Sequence, residues 1–281
     1  MKSTFFKTLL NENKFKTLLF DASGVLYNDD GPVPGIQEAF QYAVSNYEVF
    51  ILTNNSYIDT VYIQEKLAAS DLHIQKERIL SSGLGLALDP QINPMIKNKS
   101  VYIFGNQRSF PYVERAGCHE IVETMAKAEV IIMTSTLKHN HEHAFKELTS
   151  FLLDNPTIPV ICCNPDIYVL STNDTFKKVV GYYAKELLDK GVTVHWFGKP
   201  YQNYSMMIKS LLPKTWQIPI DESVCFFDDN IDNVIAMKKD IGIKGCCVMN
   251  TGLFKGKDIK TELNTRDYHP DFFIPFLNFQ S

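Results

Sequence analysis

Residues 16–27 read Lys16-Thr17-Leu18-Leu19-Phe20-Asp21-Ala22-Ser23-Gly24-Val25-Leu26-Tyr27. The run at 17–20 is apolar without alternation, as in a short strand buried on both faces. A carboxylate, Asp21, ends it at once. The same arrangement recurs three times. Thr53-Asn54-Asn55-Ser56 follows Phe50-Ile51-Leu52, Gly198-Lys199-Pro200 follows His195-Trp196-Phe197, and Asp228-Asp229 follows Val224-Cys225-Phe226-Phe227. In an open parallel sheet the carboxyl ends of neighbouring strands converge on one crevice, where ligands bind. This reading brings three carboxylates, a lysine and hydroxyl and amide donors into one pocket.

The rest of the chain supports such a sheet. Strands are predicted at 17–20, 49–52, 101–104, 130–133, 160–163, 192–197, 224–227 and 246–249. Apolar residues at helical spacing lie between them. Ile36, Phe40, Ala43, Val44 and Tyr47 form one stripe, and Ala144, Leu148, Phe151 and Leu152 a second. Phe176, Val179, Val180, Tyr183 and Leu187 form a third, closed by Lys190-Gly191. Phe5, Phe6, Leu9 and Leu10 read as an additional N-terminal helix packed on the core. Strand–helix alternation of this kind predicts an α/β fold with a parallel sheet covered by helices. A turn-rich break, Asp89-Pro90-Gln91-Ile92-Asn93-Pro94, precedes a stretch with strands and helices of its own. The four polar clusters fall before and after that stretch. The expected organisation is a core formed by residues 1–92 and 191–281, with a smaller α/β domain, 93–190, inserted over the site.

Composition narrows the function. With 281 residues and 45% hydrophobic side chains, the chain can bury a substantial core. Lys plus Arg number 28 against 32 Asp plus Glu, for a net charge of −4 without runs of like charge. Neither a nucleic-acid partner nor a polybasic membrane surface is expected. No apolar stretch approaches the roughly 20 residues of a spanning helix, and the N-terminus lacks the continuous apolar segment of a secretory signal. A cytoplasmic location is the expectation. The cysteines at 118, 162, 163, 225, 246 and 247 include no Cys-x-x-Cys pair and read as buried reduced thiols. His139, His141 and His143 lead into a helix, where alternate spacing scatters them, so a structural or solvated role is expected rather than a metal site.

Clustered carboxylates repel unless a cation lies between them, and hard oxygen ligands suit Mg²⁺. A lysine with Thr and Asn donors at a helix start makes an anion site. The pairing reads as a phosphoryl group bridged to Mg²⁺, with an aspartate at the bottom as a candidate nucleophile.

These residues resemble the motifs of the haloacid dehalogenase-like phosphohydrolases, and of their subclass with a large α/β cap after the second motif. Motif one is Phe20-Asp21-Ala22-Ser23-Gly24-Val25-Leu26-Tyr27 with Asp30-Gly31-Pro32-Val33-Pro34-Gly35. Motif two is Leu52-Thr53-Asn54-Asn55-Ser56, and motif three Phe197-Gly198-Lys199-Pro200. Motif four runs from Phe227-Asp228-Asp229 to Asn233-Val234, and Cys163-Asn164-Pro165-Asp166 and Thr251-Gly252 also match. The resemblance implies a Rossmann-like core with an inserted α/β cap, and Asp21 as nucleophile and Mg²⁺ ligand. It implies Thr53, Asn54 and Asn55 as phosphate donors, Lys199 as the charge-neutralising lysine and Asp229 as a metal ligand. Asp228 and Asn233 would stand close behind. Asp166 and Tyr168, in the Asn-Pro-Asp region, have two readings, a contact to the substrate or a purely structural turn. Homodimerisation through the cap is common in that subclass.

One position departs from the pattern. Where the family carries a second aspartate that protonates the leaving group, this chain has Ser23. Ser23 can still offer its backbone carbonyl to Mg²⁺, but its hydroxyl cannot replace a carboxylic acid. The expectation is a Mg²⁺-dependent phosphatase of a small phosphorylated metabolite, attenuated or restricted to leaving groups that need little protonation. The alternatives are an inactive phosphometabolite-binding protein and a phosphotransferase.

Overall fold

The computed structural model describes residues 4–28, 31–171 and 175–279; Asp30 of the quoted motif lies outside them. Two parallel sheets organise the chain. The larger has six strands in the order Phe272–Ile274, Lys244–Val248, Val224–Asp228, Thr17–Phe20, Glu48–Thr53, Ile79–Ser81. The smaller has five, in the order Val194–Trp196, Val160–Cys162, Val130–Met133, Ser100–Phe104, Glu120–Ile121. Every pairing within both is parallel.

The absence of polar alternation in the strands has a direct structural counterpart. Leu18, Phe20, Val49, Ile51, Cys225 and Phe227 enter one buried cluster with the helix Ile36–Asn46 and the N-terminal helix Phe6–Glu12. Their alternates Leu19, Phe50, Leu52, Val224 and Phe226 enter another. That second cluster also takes Ile103, Ile132 and Ile161 from the smaller sheet, so one continuous core joins the two sheets. The far face of the smaller sheet buries Phe104, Ile131, Met133, Val160 and Cys162 under the helices His141–Asp154 and Val180–Asp189.

Two sequence expectations are corrected. Phe176 is not part of a helical stripe. It sits 55% exposed in the strand Phe176–Lys178, which pairs antiparallel with Tyr168–Leu170, and the helix begins only at Val180. The strand before Gly198, assigned to the core by its place in the sequence, belongs to the smaller sheet. Val194–Trp196 pairs with Val160–Cys162, and the Phe197 N–H continues that ladder to the Cys162 carbonyl at 2.9 Å. An apolar strand carries no mark of which sheet it will join. All six cysteines are free thiols, with Cys118 half-buried and the others buried. His141 packs against the rings of Phe104, Phe145 and Tyr183, and burial lowers its pKa, while His139 and His143 are exposed.

Candidate active site

Register fixes the floor of the site. Phe20 lies between Phe227 and Ile51 in adjacent strands. The next residues of the three strands, Asp21, Asp228 and Leu52, therefore stand side by side at the carboxyl edge, followed by Asp229 and Thr53. The Asp21 N–H donates to the Phe227 carbonyl at 2.8 Å and extends the ladder by one residue. Asn230 then caps the helix Ile231–Ile241, accepting from the Asp232 N–H at 3.0 Å, and Asn233 in its first turn points back at the strand end.

Lys199 reaches this floor from the loop after the smaller sheet's edge strand. Its backbone is clasped by Asn54, whose Oδ1 accepts from the Lys199 N–H and whose Nδ2 donates to the Lys199 carbonyl, both at 2.8 Å. The Nζ group donates to Asp21 Oδ1 at 2.7 Å, Asp228 Oδ2 at 2.7 Å and the Leu52 carbonyl at 3.0 Å. An ammonium has three hydrogens, so all of its donors are used. The residue is 2% exposed. Burial alone would lower its pKa, but the carboxylates of Asp21 and Asp228 outweigh that and hold it above the usual lysine range.

One lysine does not neutralise the carboxylates around it. Oxygens of Asp21, Asp228 and Asp229 all lie within 4.8 Å of one another, and all three residues are buried. Burial, opposed by Lys199 and reinforced by Asp228, pushes the Asp21 carboxyl up to about 7. Burial, then Asp228 and Asp21, raises Asp229 well above the carboxylate range, although its Oδ2 accepts from the Leu253 N–H. An excess of buried negative charge built from hard oxygen donors is what a divalent cation relieves. Asp228 is already engaged by Lys199, by the Asn230 N–H at 2.7 Å and by Asn233 Nδ2 at 3.1 Å. Asp21 and Asp229 are left as the carboxylates with room for a metal. The buried Asn233 Oδ1 has no hydrogen-bond partner among the described residues.

Above the floor lies a cavity of about 540 Å³ between the two sheets. Asp21, Ser23, Thr53, Asn54, Asn55, Asp166, Lys199, Asp229 and Asn233 all line it, and Asp228 sits behind Lys199. Every residue singled out from the sequence is thus within this one region. The Asn54 side chain is committed to Lys199 and, through Nδ2, to Asp166 Oδ1 at 2.9 Å, so its free donor toward a ligand is its backbone N–H. Sequence reasoning missed the opposite wall, where Thr134, Ser135 and Thr136 follow the strand Val130–Met133. The rule applied to the larger sheet, polar residues directly after a parallel strand, would have found them.

Residues 18–119 match the family model for haloacid dehalogenase-like hydrolases. The chain is 22% identical to a 4-nitrophenylphosphatase of Schizosaccharomyces pombe, over 94% of this chain and 93% of that one. Its fold is shared with a possible sugar phosphatase of the HAD superfamily from Cytophaga hutchinsonii, at TM-score 0.83, 21% identity and full coverage of both chains. It is shared too with a p-nitrophenyl phosphatase from Archaeoglobus fulgidus, at TM-score 0.74 and 19% identity, covering 94% of this chain and 97% of that one. The chain thus shares its fold throughout with these proteins, its motifs meet at one buried acidic floor, and its segment 18–119 is similar to the haloacid dehalogenase-like hydrolases.

Proposed function

We propose that the protein is a Mg²⁺-dependent phosphatase of small phosphorylated metabolites, with Asp21 as the nucleophile. The observation that supports this reading most is the placement of Asp21 between Lys199 and Asp229 at the floor of the cavity. The phosphoryl group would rest on the Thr53 hydroxyl and the backbone N–H of Asn54, with the positive charge of the Lys199 ammonium, whose hydrogens are already engaged, beside the reacting Asp21. Thr53 Oγ1 already accepts from the Asn55 N–H at 3.1 Å, which aims its hydrogen elsewhere. With Lys199 on one Asp21 oxygen, the other forms the bond to phosphorus and the alcohol departs. Water then cleaves the aspartyl phosphate and restores Asp21. Mg²⁺, held by Asp21, Asp229 and the Ser23 carbonyl, would neutralise charge on the phosphoryl oxygens. The unit centred on residues 93–190, extended by the strand that ends at Trp196, serves as the cap that excludes water and selects the substrate. Among the described residues no helix is long and apolar enough to cross a membrane, and the buried free thiols suit a reducing compartment such as the cytoplasm.

A second reading, a binder of phosphorylated metabolites without turnover, draws on Ser23 alone. The two separate on p-nitrophenyl phosphate and acetyl phosphate, whose leaving groups need little protonation. EDTA-treated protein is expected to be inactive on both, and Mg²⁺ to raise turnover by about 100-fold or more. No turnover on either substrate with Mg²⁺ present leaves only the binder.

A supporting residue can be tested at the same time. Gly252 has a positive φ of 52°, and a Cβ there would overlap the Asp229 carboxylate. Gly252→Ala is expected to displace Asp229 and weaken Mg²⁺ affinity by roughly 10–100-fold, read by calorimetric titration. Unchanged affinity would remove Asp229 from the metal site.

A further inference from the structure

We infer that Asp166, on the cap side of the cavity, supplies the proton that position 23 cannot. The inference rests on the phosphatase reading above and adds a group to it. Hydrolysis of an ester with a basic alcohol needs a side chain that gives a proton to the departing oxygen and then takes one from water. Among the described residues lining the cavity, the carboxyl groups are those of Asp21, Asp166 and Asp229, and no His, Glu or Cys is present. Asp21 attacks, and Asp229 faces the cation. Phenols and ammonium groups are in general protonated at neutral pH, which makes a tyrosine or a lysine a poor acceptor for the proton from water. Elimination leaves Asp166.

Its setting suits the part. The Asp166 N–H donates to Asn164 Oδ1 at 3.1 Å, an Asx turn that fixes the backbone. Its carbonyl lies against Gly181 at the start of the next helix, so closely that a Cβ there would come within 2.5 Å. Oδ1 is held by Asn54 Nδ2 at 2.9 Å, and the same amide clasps Lys199. Oδ2 has no hydrogen-bond partner among the described residues, and Asp166 lines the cavity. The carboxyl is thus tied to the element that positions the phosphoryl group while keeping one oxygen for the leaving atom. Burial pushes its pKa up to about 6, against the lowering influence of Lys199 and Asn54. The proton is conserved over the cycle. As Asp21 forms its bond to phosphorus and the ester P–O bond breaks, the Asp166 proton passes to the ester oxygen and the alcohol leaves. Water then attacks phosphorus, gives a proton to the Asp166 carboxylate, and releases phosphate and the Asp21 carboxylate.

The test is the dependence of kcat/KM, which reports the steps through alcohol departure and not the later hydrolysis common to all esters, on the leaving group, from p-nitrophenyl phosphate to simple alkyl phosphates, in Mg²⁺. Asp166→Asn is expected to lose about 10²–10³-fold on alkyl esters and less than about tenfold on p-nitrophenyl phosphate, with Asp166→Glu retaining the wild-type preference. Adding Ser23→Asp to Asp166→Asn should recover the alkyl esters. Equal loss on all esters would mark Asp166 as a strut between the sheets and overturn the inference, as would no loss. Ser23→Asp alone gives a check that does not depend on the folding of an Asp166 variant. With an acid already in place it should raise alkyl-ester turnover less than about tenfold, and a gain of about 100-fold or more overturns the inference. Wild type that turns over p-nitrophenyl phosphate while Asp166→Asn shows no leaving-group dependence defeats this inference alone. Wild type inactive on every ester defeats the phosphatase reading, and the inference with it.

Discussion

Asp21→Asn is expected to abolish turnover of every phosphate ester, a loss of at least about 10⁴-fold, because no other group can form the covalent bond to phosphorus. The same substitution should stabilise the metal-free protein at neutral pH. The folded Asp21 carboxyl is raised to about 7 from an ordinary 3.8. Between those values the folded state binds a proton that the unfolded chain has released. Stability contributed by this group is therefore present at low pH and declines as pH climbs from about 4 to about 7. An asparagine keeps the hydrogen-bond acceptor for Lys199 and removes the titration. Thermal melts in EDTA should fall with rising pH for wild type and much less for Asp21→Asn, and Mg²⁺ should restore wild type by binding the ionised carboxylates. An Asp21→Asn protein that still hydrolyses esters, or that melts below wild type at pH 8 in EDTA, would contradict this account.

Much of the architecture was legible because burial on two faces leaves a plain trace. The strands Thr17–Phe20 and Val130–Met133 coincide with their apolar runs residue for residue. The strands that went unread are short and peripheral. Ile79–Ser81 and Phe272–Ile274 have three residues each and lie at the two edges of the larger sheet, where one neighbour suffices. Phe176 misled because an exposed aromatic on a hairpin has the same spacing to Val180 and Tyr183 as one on a helix. The floor of the site was legible for a different reason, namely that each chemical residue directly follows a strand. The wall was less so. The Asn54 clasp that joins Lys199 to Asp166 spans 145 and 112 residues of chain, and a single sequence carries no local mark of such a bond. The motif identifies Asn54 as a donor; only the fold shows that its side chain holds the two halves of the site together.

Lys199→Met should be the most damaging single change for folding and should also cut turnover. Among the described residues the ammonium is the one cation within ion-pair distance of Asp21 and Asp228, at 2.7 Å from each, and Asp228 is completely buried. A methionine fills much of the volume but leaves two carboxylates and the Leu52 carbonyl facing one another without the cation, with Asn230 and Asn233 still donating to Asp228 alone. Removing one partner of a buried pair typically costs about 3–5 kcal/mol, because the remaining charge keeps its desolvation penalty. Turnover should fall by a further 10²–10³-fold, roughly the effect of deleting one preorganised electrostatic contact to the reacting group. The two losses can be separated. Pairing Lys199→Met with Asp228→Asn removes the stranded charge, so chemical denaturation should show part of the stability recovered. Turnover should stay down, since the phosphoryl group still lacks its cation. Lys199→Arg should not rescue either property, because a planar guanidinium cannot aim three hydrogens at Asp21, Asp228 and Leu52 from so enclosed a position. A Lys199→Met protein as stable as wild type, or within tenfold of its turnover, would show that the lysine merely fills space under Asp21 and that the charge balance of the floor is set by other groups.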